Sequence, residues 1–224
     1  MTSPVVVFDL DGTLIDTATD LVTTINYTIG TAGLAPVTYE DLTFLVGQGA
    51  RTMIERAFSM RGESIDEARL TELMGVFVEH YRAGMPGEST PYPGVIAAME
   101  RLSGAGYKLA VCTNKMESLA VRLLDGLGLS GHFAAVTGGD TFPVRKPDAR
   151  HLTETIARAG GTLGGSVMIG DSVNDIMAAR NANVPSIAVP FGYSDVPVAE
   201  LSPGRIITHY DELTPGLVKE LTSA

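Results

Sequence analysis

Val5-Val6-Val7-Phe8 is a β-branched run with no polar alternation, the pattern of a central strand covered on both faces. Short apolar runs recur at residues 109–112, 134–137, 167–169, 186–189 and 205–207, and helical patterns lie between most of them. That alternation predicts an α/β fold with a parallel sheet. From about Ile15 to Met85 the rhythm changes, because the periodicity is helical throughout and four helices fit. Leu70, Leu73, Met74, Phe77, Val78 and Tyr81 follow the i, i+3, i+4 template, and Ser64 with Glu67 predicts a capping box at the start of that helix. Leu21, Ile25 and Ile29 mark an earlier helix, and Thr38 with Asp41 predicts a cap before Leu42 and Leu45. Pro86-Gly87, Pro91 and Pro93-Gly94 form a turn-rich return. The expected organisation is an α/β core of residues 1–15 and 86–224 with a helical insertion at 16–85. Gly160-Gly161 and Gly164-Gly165 predict a loop before the strand at 167–169.

Composition narrows the function. The 224 residues are 45% hydrophobic and 19% charged, which excludes collagen-like, disordered and coiled-coil chains. Sixteen Lys and Arg against 26 Asp and Glu give −10, a charge that repels phosphate backbones and anionic headgroups. The expectation is therefore no nucleic-acid or membrane partner, and a bound cation fits better. Cys112 lies in an apolar run and reads as a small buried side chain. No basic stretch precedes the first apolar run, and Asp9 cuts that run short, so neither a signal peptide nor a membrane span is expected. A cytoplasmic protein, monomer or homodimer, is the expectation.

In an open parallel sheet, ligands bind beyond the carboxyl ends of the strands. The residues collected there are Asp9, Asp11 and Thr13; then Thr113, Asn114 and Lys115; then Asp171, Ser172, Asn174 and Asp175. Carboxylates about 4 Å apart repel by roughly 4 kcal/mol per pair at an effective dielectric of 20, so a cation among them is expected. Oxygen-only ligands beside a phosphate-bearing substrate suit Mg²⁺ rather than zinc or Ca²⁺. Asp9 can attack phosphorus to give an aspartyl-phosphate, and Asp11 can protonate the leaving oxygen and then activate water. Lys146, in Arg145-Lys146-Pro147-Asp148 with Pro147 opening a helix, is the candidate cation for the phosphoryl oxygens. Thr113 and Asn114 can bind the phosphate as neutral donors.

Asp9-Leu10-Asp11-Gly12-Thr13, Thr113-Asn114-Lys115, Lys146-Pro147 and Gly170-Asp171-Ser172-Val173-Asn174-Asp175 resemble, in order, the four motifs of the haloacid dehalogenase superfamily. The resemblance covers essentially the whole chain and implies a Rossmann-like three-layer core, with a mostly parallel sheet, under a mobile all-helical cap. It implies Asp9 as nucleophile and metal ligand, Asp11 as acid/base with its carbonyl on Mg²⁺, Asp171 as the remaining protein ligand, and Asp175 acting through water. Because the family's dehalogenases and phosphonate hydrolases generally lack the second aspartate, Asp11 points to phosphate esters. Val46-Gly47-Gln48-Gly49-Ala50-Arg51 with Glu55-Arg56-Ala57 resembles the phosphoglycolate phosphatases and their relatives, which implies a small phosphorylated metabolite, 2-phosphoglycolate, as substrate and Arg51 as a contact to it.

Bland alternatives remain for several of these residues. Asp175 can be a solvated helix-start acid, Lys146 a loop lysine, Thr113 a strand-end hydroxyl and Arg51 a solvated arginine. His80, His132, His151 and His209 lie outside every motif, and Met53, Met74 and Met99 read as packing. A sugar-phosphate phosphatase or phosphomutase would keep every core motif. A catalytically silent binding module and a haloacid dehalogenase are further alternatives.

Overall fold

The computed structural model describes residues 3–41, 45–47 and 49–223. Strand β1 (Ser3–Phe8) lies between β4 (Lys108–Cys112) and β6 (Gly161–Gly170). With β5 (Ala135–Thr137), β7 (Ser186–Ala188) and β8 (Arg205–Ile206) they form one sheet of order β5-β4-β1-β6-β7-β8, every pair parallel. The chain builds outward on one side of β1 and then on the other, so the strand order reverses there and leaves a crevice at the carboxyl ends of β1, β4 and β6.

Alternate residues of β1 serve opposite faces, as strand geometry requires. Val6 and Phe8 pack with Leu102 of α4 (Val95–Gly104), Leu123 of α5 (Glu117–Gly126) and Val218 of α8 (Pro215–Thr222). Val5 and Val7 pack with Leu152 and Ile156 of α6 (Ala149–Arg158) and Ala179 of α7 (Val173–Asn181). This is the three-layer α/β fold expected, and it explains why Val5–Phe8 shows no polar position.

Three expectations need correction. The glycine stretch 160–165 is not a loop: β6 begins at Gly161, because Ser3 and Pro4 pair with Gly161 and Thr162. The register then shifts between Pro4 and Val6, with Gly165 at φ 83° and Val5 N donating to Ser166 Oγ at 2.9 Å, so glycine here marks a bulge. The helix after Ser64 starts at Glu67 instead, because Asp66 accepts from Arg69 N at 2.8 Å and takes the capping role. Pro147 does not open α6; Asp148 caps it, accepting from Arg150 N at 2.9 Å, and Pro147 stands one residue before.

Between β1 and β4 the chain leaves and returns through a two-stranded antiparallel ribbon, β2 (Ile15–Asp16) with β3 (Thr90–Pro91). Helices α1 (Ala18–Gly30), α2 (Ala50–Ser59) and α3 (Glu67–Gly84) fill the segment and share a core of their own that includes Ile25, Ile54, Leu73 and Phe77. Thr38 N donates to Asp41 Oδ2 at 2.8 Å, but the helix start expected at Leu42 lies outside the described residues. Among the described residues no helix is long and apolar enough to cross a membrane.

Leu123 is fully buried against β1, so Leu123→Ala should lower unfolding stability by about 2–5 kcal/mol in urea titration. Leu163, 43% exposed on the β6 extension, should give a change within about 0.5 kcal/mol on the same substitution.

Candidate active site

Asp9 follows β1 directly and continues its ladder, with Asp9 N donating to Ile169 O at 2.9 Å. Asp171 follows β6; its Oδ1 accepts from Thr13 Oγ1 at 2.7 Å and its Oδ2 from Tyr193 N at 2.8 Å. Gly12, at φ 79°, passes so close that a Cβ there would stand 2.6 Å from Asp171 Oδ2. Asp175 sits in the first turn of α7, fully buried, so the solvated alternative for it fails. Its Oδ2 accepts from Ser172 N and Oγ at 2.9 and 2.7 Å, and its Oδ1 accepts from Lys146 Nζ at 2.6 Å.

Lys146, also buried, is not a solvated loop lysine: its Nζ lies 2.8 Å from Asp9 Oδ1. That contact has the distance of an ion pair without hydrogen-bond alignment, so Asp9 Oδ1 is a buried oxygen with no hydrogen bond. Burial pulls the Lys146 ammonium down, but the Asp175 and Asp9 carboxylates outweigh it and hold its pKa above the usual lysine value. Burial pushes Asp9 up to about 6 against the pull of Lys146. Asp171 is pushed well above the carboxylate range by burial, with Asp175 and Asp9 adding to it. Asp9, Asp171 and Asp175 each offer an oxygen, all within 4.8 Å of one another, and this cluster can hold a metal ion. The Asp9 oxygen without a hydrogen bond and the raised acids fit a cation, and the all-oxygen donors fit a hard one.

Asp11 is set apart from this group. Its carboxylate takes Lys115 Nζ at 2.8 and 3.0 Å, and its Oδ1 also accepts from Thr17 Oγ1 at 2.8 Å. Lys115, buried, donates in addition to the hydroxyl of Tyr81 on α3 at 2.9 Å. Burial pushes the Tyr81 phenol up to about 12 despite the neighbouring ammonium. From the sequence Lys115 has a place beside Thr113 at a strand end but no role.

Asp9, Asp11, Thr113, Asn114, Lys115 and Arg51 line one cavity of about 280 Å³. Its opposite wall is apolar, with Leu21 of α1, Met53 of α2, and Met74 and Phe77 of α3. Thr113 is buried, and its Oγ1 accepts from Lys115 N at 3.2 Å. The Asn114 amide donates to Gly47 O and Lys146 O, both at 3.1 Å, so it ties the helical segment to the lysine loop. Asn174 Nδ2 donates to the same Gly47 carbonyl at 3.0 Å. Arg51 Nη1 donates to Glu67 Oε1 at 3.0 Å, its second amino group meets the other Glu67 oxygen, and its Nε lies 3.6 Å from Glu55. A second tether is Tyr193, whose hydroxyl accepts from Thr17 N at 2.8 Å and Ala18 N at 3.0 Å and donates to Asp16.

The family model described as haloacid dehalogenase-like hydrolase matches residues 6–189. The chain belongs to that family. This hydrolase is 61% identical to a phosphoglycolate phosphatase of Agrobacterium fabrum, over 99% of the chain and 95% of the relative. It is 48% identical to a phosphoglycolate phosphatase of Mesorhizobium japonicum, over 100% and 99%. A crystal structure of a protein from Haemophilus somnus, named as a predicted phosphoglycolate phosphatase, superposes with a TM-score of 0.88 at 27% identity, covering 95% of this hydrolase and 97% of that chain.

His151 is buried under the lysine loop of this hydrolase, and its Nδ1 accepts from Lys146 N at 3.1 Å. Burial, and then Lys146, lower its pKa from 6.5 to about 4. An unfolded chain takes up this proton below about 6.5 and the folded one only near 4, so the stabilisation is whole above pH 6.5 and is lost as pH falls toward 4. The loss should reach about 2–3 kcal/mol. His151→Asn, which keeps an acceptor for Lys146 N, should flatten that part of the stability profile in urea titrations at pH 7 and pH 5.

Proposed function

We propose that the protein is a Mg²⁺-dependent phosphomonoesterase that hydrolyses 2-phosphoglycolate through an aspartyl-phosphate. The observation that carries this reading is the division of labour between two carboxylates two residues apart. Asp9 lies in the acidic cluster beside Lys146, and Asp11 lies outside it beside Lys115 and Thr17. This separation supports attack by the one and proton transfer by the other. The substrate assignment is supported by the name of the relative that shares 61% of its residues over nearly the full chain.

Asp9 attacks phosphorus in line with the ester oxygen, and Asp11 protonates that oxygen as it leaves. Lys146 and Thr113, with amides at the end of β4 and the Asn114 side chain beside them, bind the phosphoryl oxygens and oppose their charge. Asp11 then takes a proton from the water that opens the aspartyl-phosphate. Asp9, Asp171 and the Asp11 carbonyl would hold the divalent ion, and Asp175 would reach it through water while fixing Lys146. When bound, the ion neutralises charge on the phosphoryl oxygens and on the acids around them. Residues 16–85 act as a cap on a core of 1–15 and 86–224, closing the apolar wall over the substrate and excluding water. Arg51 contacts the substrate as the cap closes. The enzyme acts in the cytoplasm on a small phosphorylated metabolite, without a nucleic-acid or membrane partner.

Phosphate release with 2-phosphoglycolate, sugar phosphates, a nucleoside monophosphate and pyrophosphate tests the reading. The expected kcat/KM on 2-phosphoglycolate is about 10⁴ M⁻¹s⁻¹ or more and exceeds the others. Asp9→Asn should lower kcat on the order of 10³-fold or more, and Asp11→Asn about 10²–10⁴-fold. A chelator should abolish turnover. Turnover that survives chelation or Asp9→Asn refutes the mechanism, equal rates across the panel refute the substrate, and an isomer in place of phosphate identifies a mutase.

A further inference from the structure

Three cationic side chains line the cavity, and two of them are already engaged. Lys115 is shared by the Asp11 carboxylate and the Tyr81 hydroxyl. Arg51 faces Glu67 through both amino groups and has Glu55 beside its Nε. The third is Arg145, whose guanidinium has no ion pair or hydrogen bond among the described residues. Arg145 is exposed, and in a chain of net charge −10 a cavity-lining arginine without a carboxylate partner leaves one guanidinium open to an anionic ligand.

Its placement adds a second observation. Arg145 Nη1 lies 3.6 Å from where a Cβ on Gly49 would stand, so the guanidinium rests against bare backbone at the residue that caps α2. An anion there would meet both the guanidinium fork and the N-terminal amides of a ten-residue helix. Arg145 also directly precedes Lys146, whose ammonium is fixed beside Asp9. The chain therefore presents both cations, Arg145 and Lys146, from adjacent positions at the cavity.

We propose that Arg145 is the specificity-determining residue of this hydrolase and binds the carboxylate of the acid half of the ester, with the N-terminus of α2 as its second donor. The assignment rests on the phosphoglycolate reading above and names the group that reads the leaving portion. Arg51 would first have to leave Glu67, whereas Arg145 is free to accept a carboxylate in the conformation observed. A guanidinium fork gives two parallel bonds to a carboxylate, which an ammonium does not.

The test compares kcat/KM for 2-phosphoglycolate with that for 2-hydroxyethyl phosphate, which has a hydroxymethyl group where the carboxylate stands. In the wild type the carboxylate ester should be strongly preferred. Arg145→Leu should reduce that preference roughly 10- to 100-fold through a higher KM for 2-phosphoglycolate, and Arg145→Lys should recover part of it. Arg51→Leu should lower kcat/KM on both esters together. Three results overturn the proposal: the preference survives in Arg145→Leu, it collapses in Arg51→Leu instead, or Arg145→Leu weakens both esters equally. A wild type with no preference for the carboxylate ester refutes the phosphoglycolate reading itself, and carboxylate recognition with it.

Discussion

Two carboxylates share a single buried ammonium at the end of β1 while a third stands within 4.8 Å of them, and most of the molecule is arranged around that fact. Taking a charge out of water costs several kcal/mol unless it is paired, and Asp9, Asp171 and Asp175 have only Lys146 between them. The remaining oxygens are met by Thr13, the Tyr193 amide and Ser172, and one Asp9 oxygen is met by no hydrogen bond. The sheet bears this load because Val5–Phe8 of β1 and the last five residues of β6, which lead directly into the acids, are buried. The raised acids are what a cation would relieve.

Besides Tyr81 on Lys115, the helical segment reaches that charged floor at Gly47 and at the start of α1. Gly47 O takes amides from Asn114 and Asn174, which stand beside the second and third strand ends. Tyr193 uses its amide on Asp171 and its hydroxyl on the first amides of α1, whose own N-cap residue Thr17 contributes no cap and turns to Asp11 instead. The orientation of α1 is thereby tied to the position of Asp171. A change in what Asp171 binds has a direct mechanical route into the helices that wall the cavity.

What could be read from the sequence follows from how far apart the interacting residues lie. The parallel strands were legible because each apolar run is its own signal, and the acids were legible because they sit directly after those runs. Cap details were less so: the Ser64 with Glu67 spacing fits a helix start, but the Arg69 amide meets the Asp66 carboxylate and the helix begins after Asp66. The bulge at Gly165 depends on Pro4, a partner some 160 positions away, so a glycine pair looked like a loop. Lys115, Tyr193 and Arg145 share that difficulty. Their neighbours are Asp11, Thr17 and Gly49, and no periodicity along the chain announces such pairings.

Cys112 ends β4 fully buried, and burial pushes its thiol up to about 11. It is the only cysteine in the chain. Alkylating reagents and peroxide need an accessible thiolate, which this side chain does not offer at neutral pH. The native protein is thus already a silent background for labelling chemistry. A single cysteine introduced on the surface of α3 would carry a fluorophore or spin label alone, and the motion of the helices over the sheet could be followed without first removing the native sulfur.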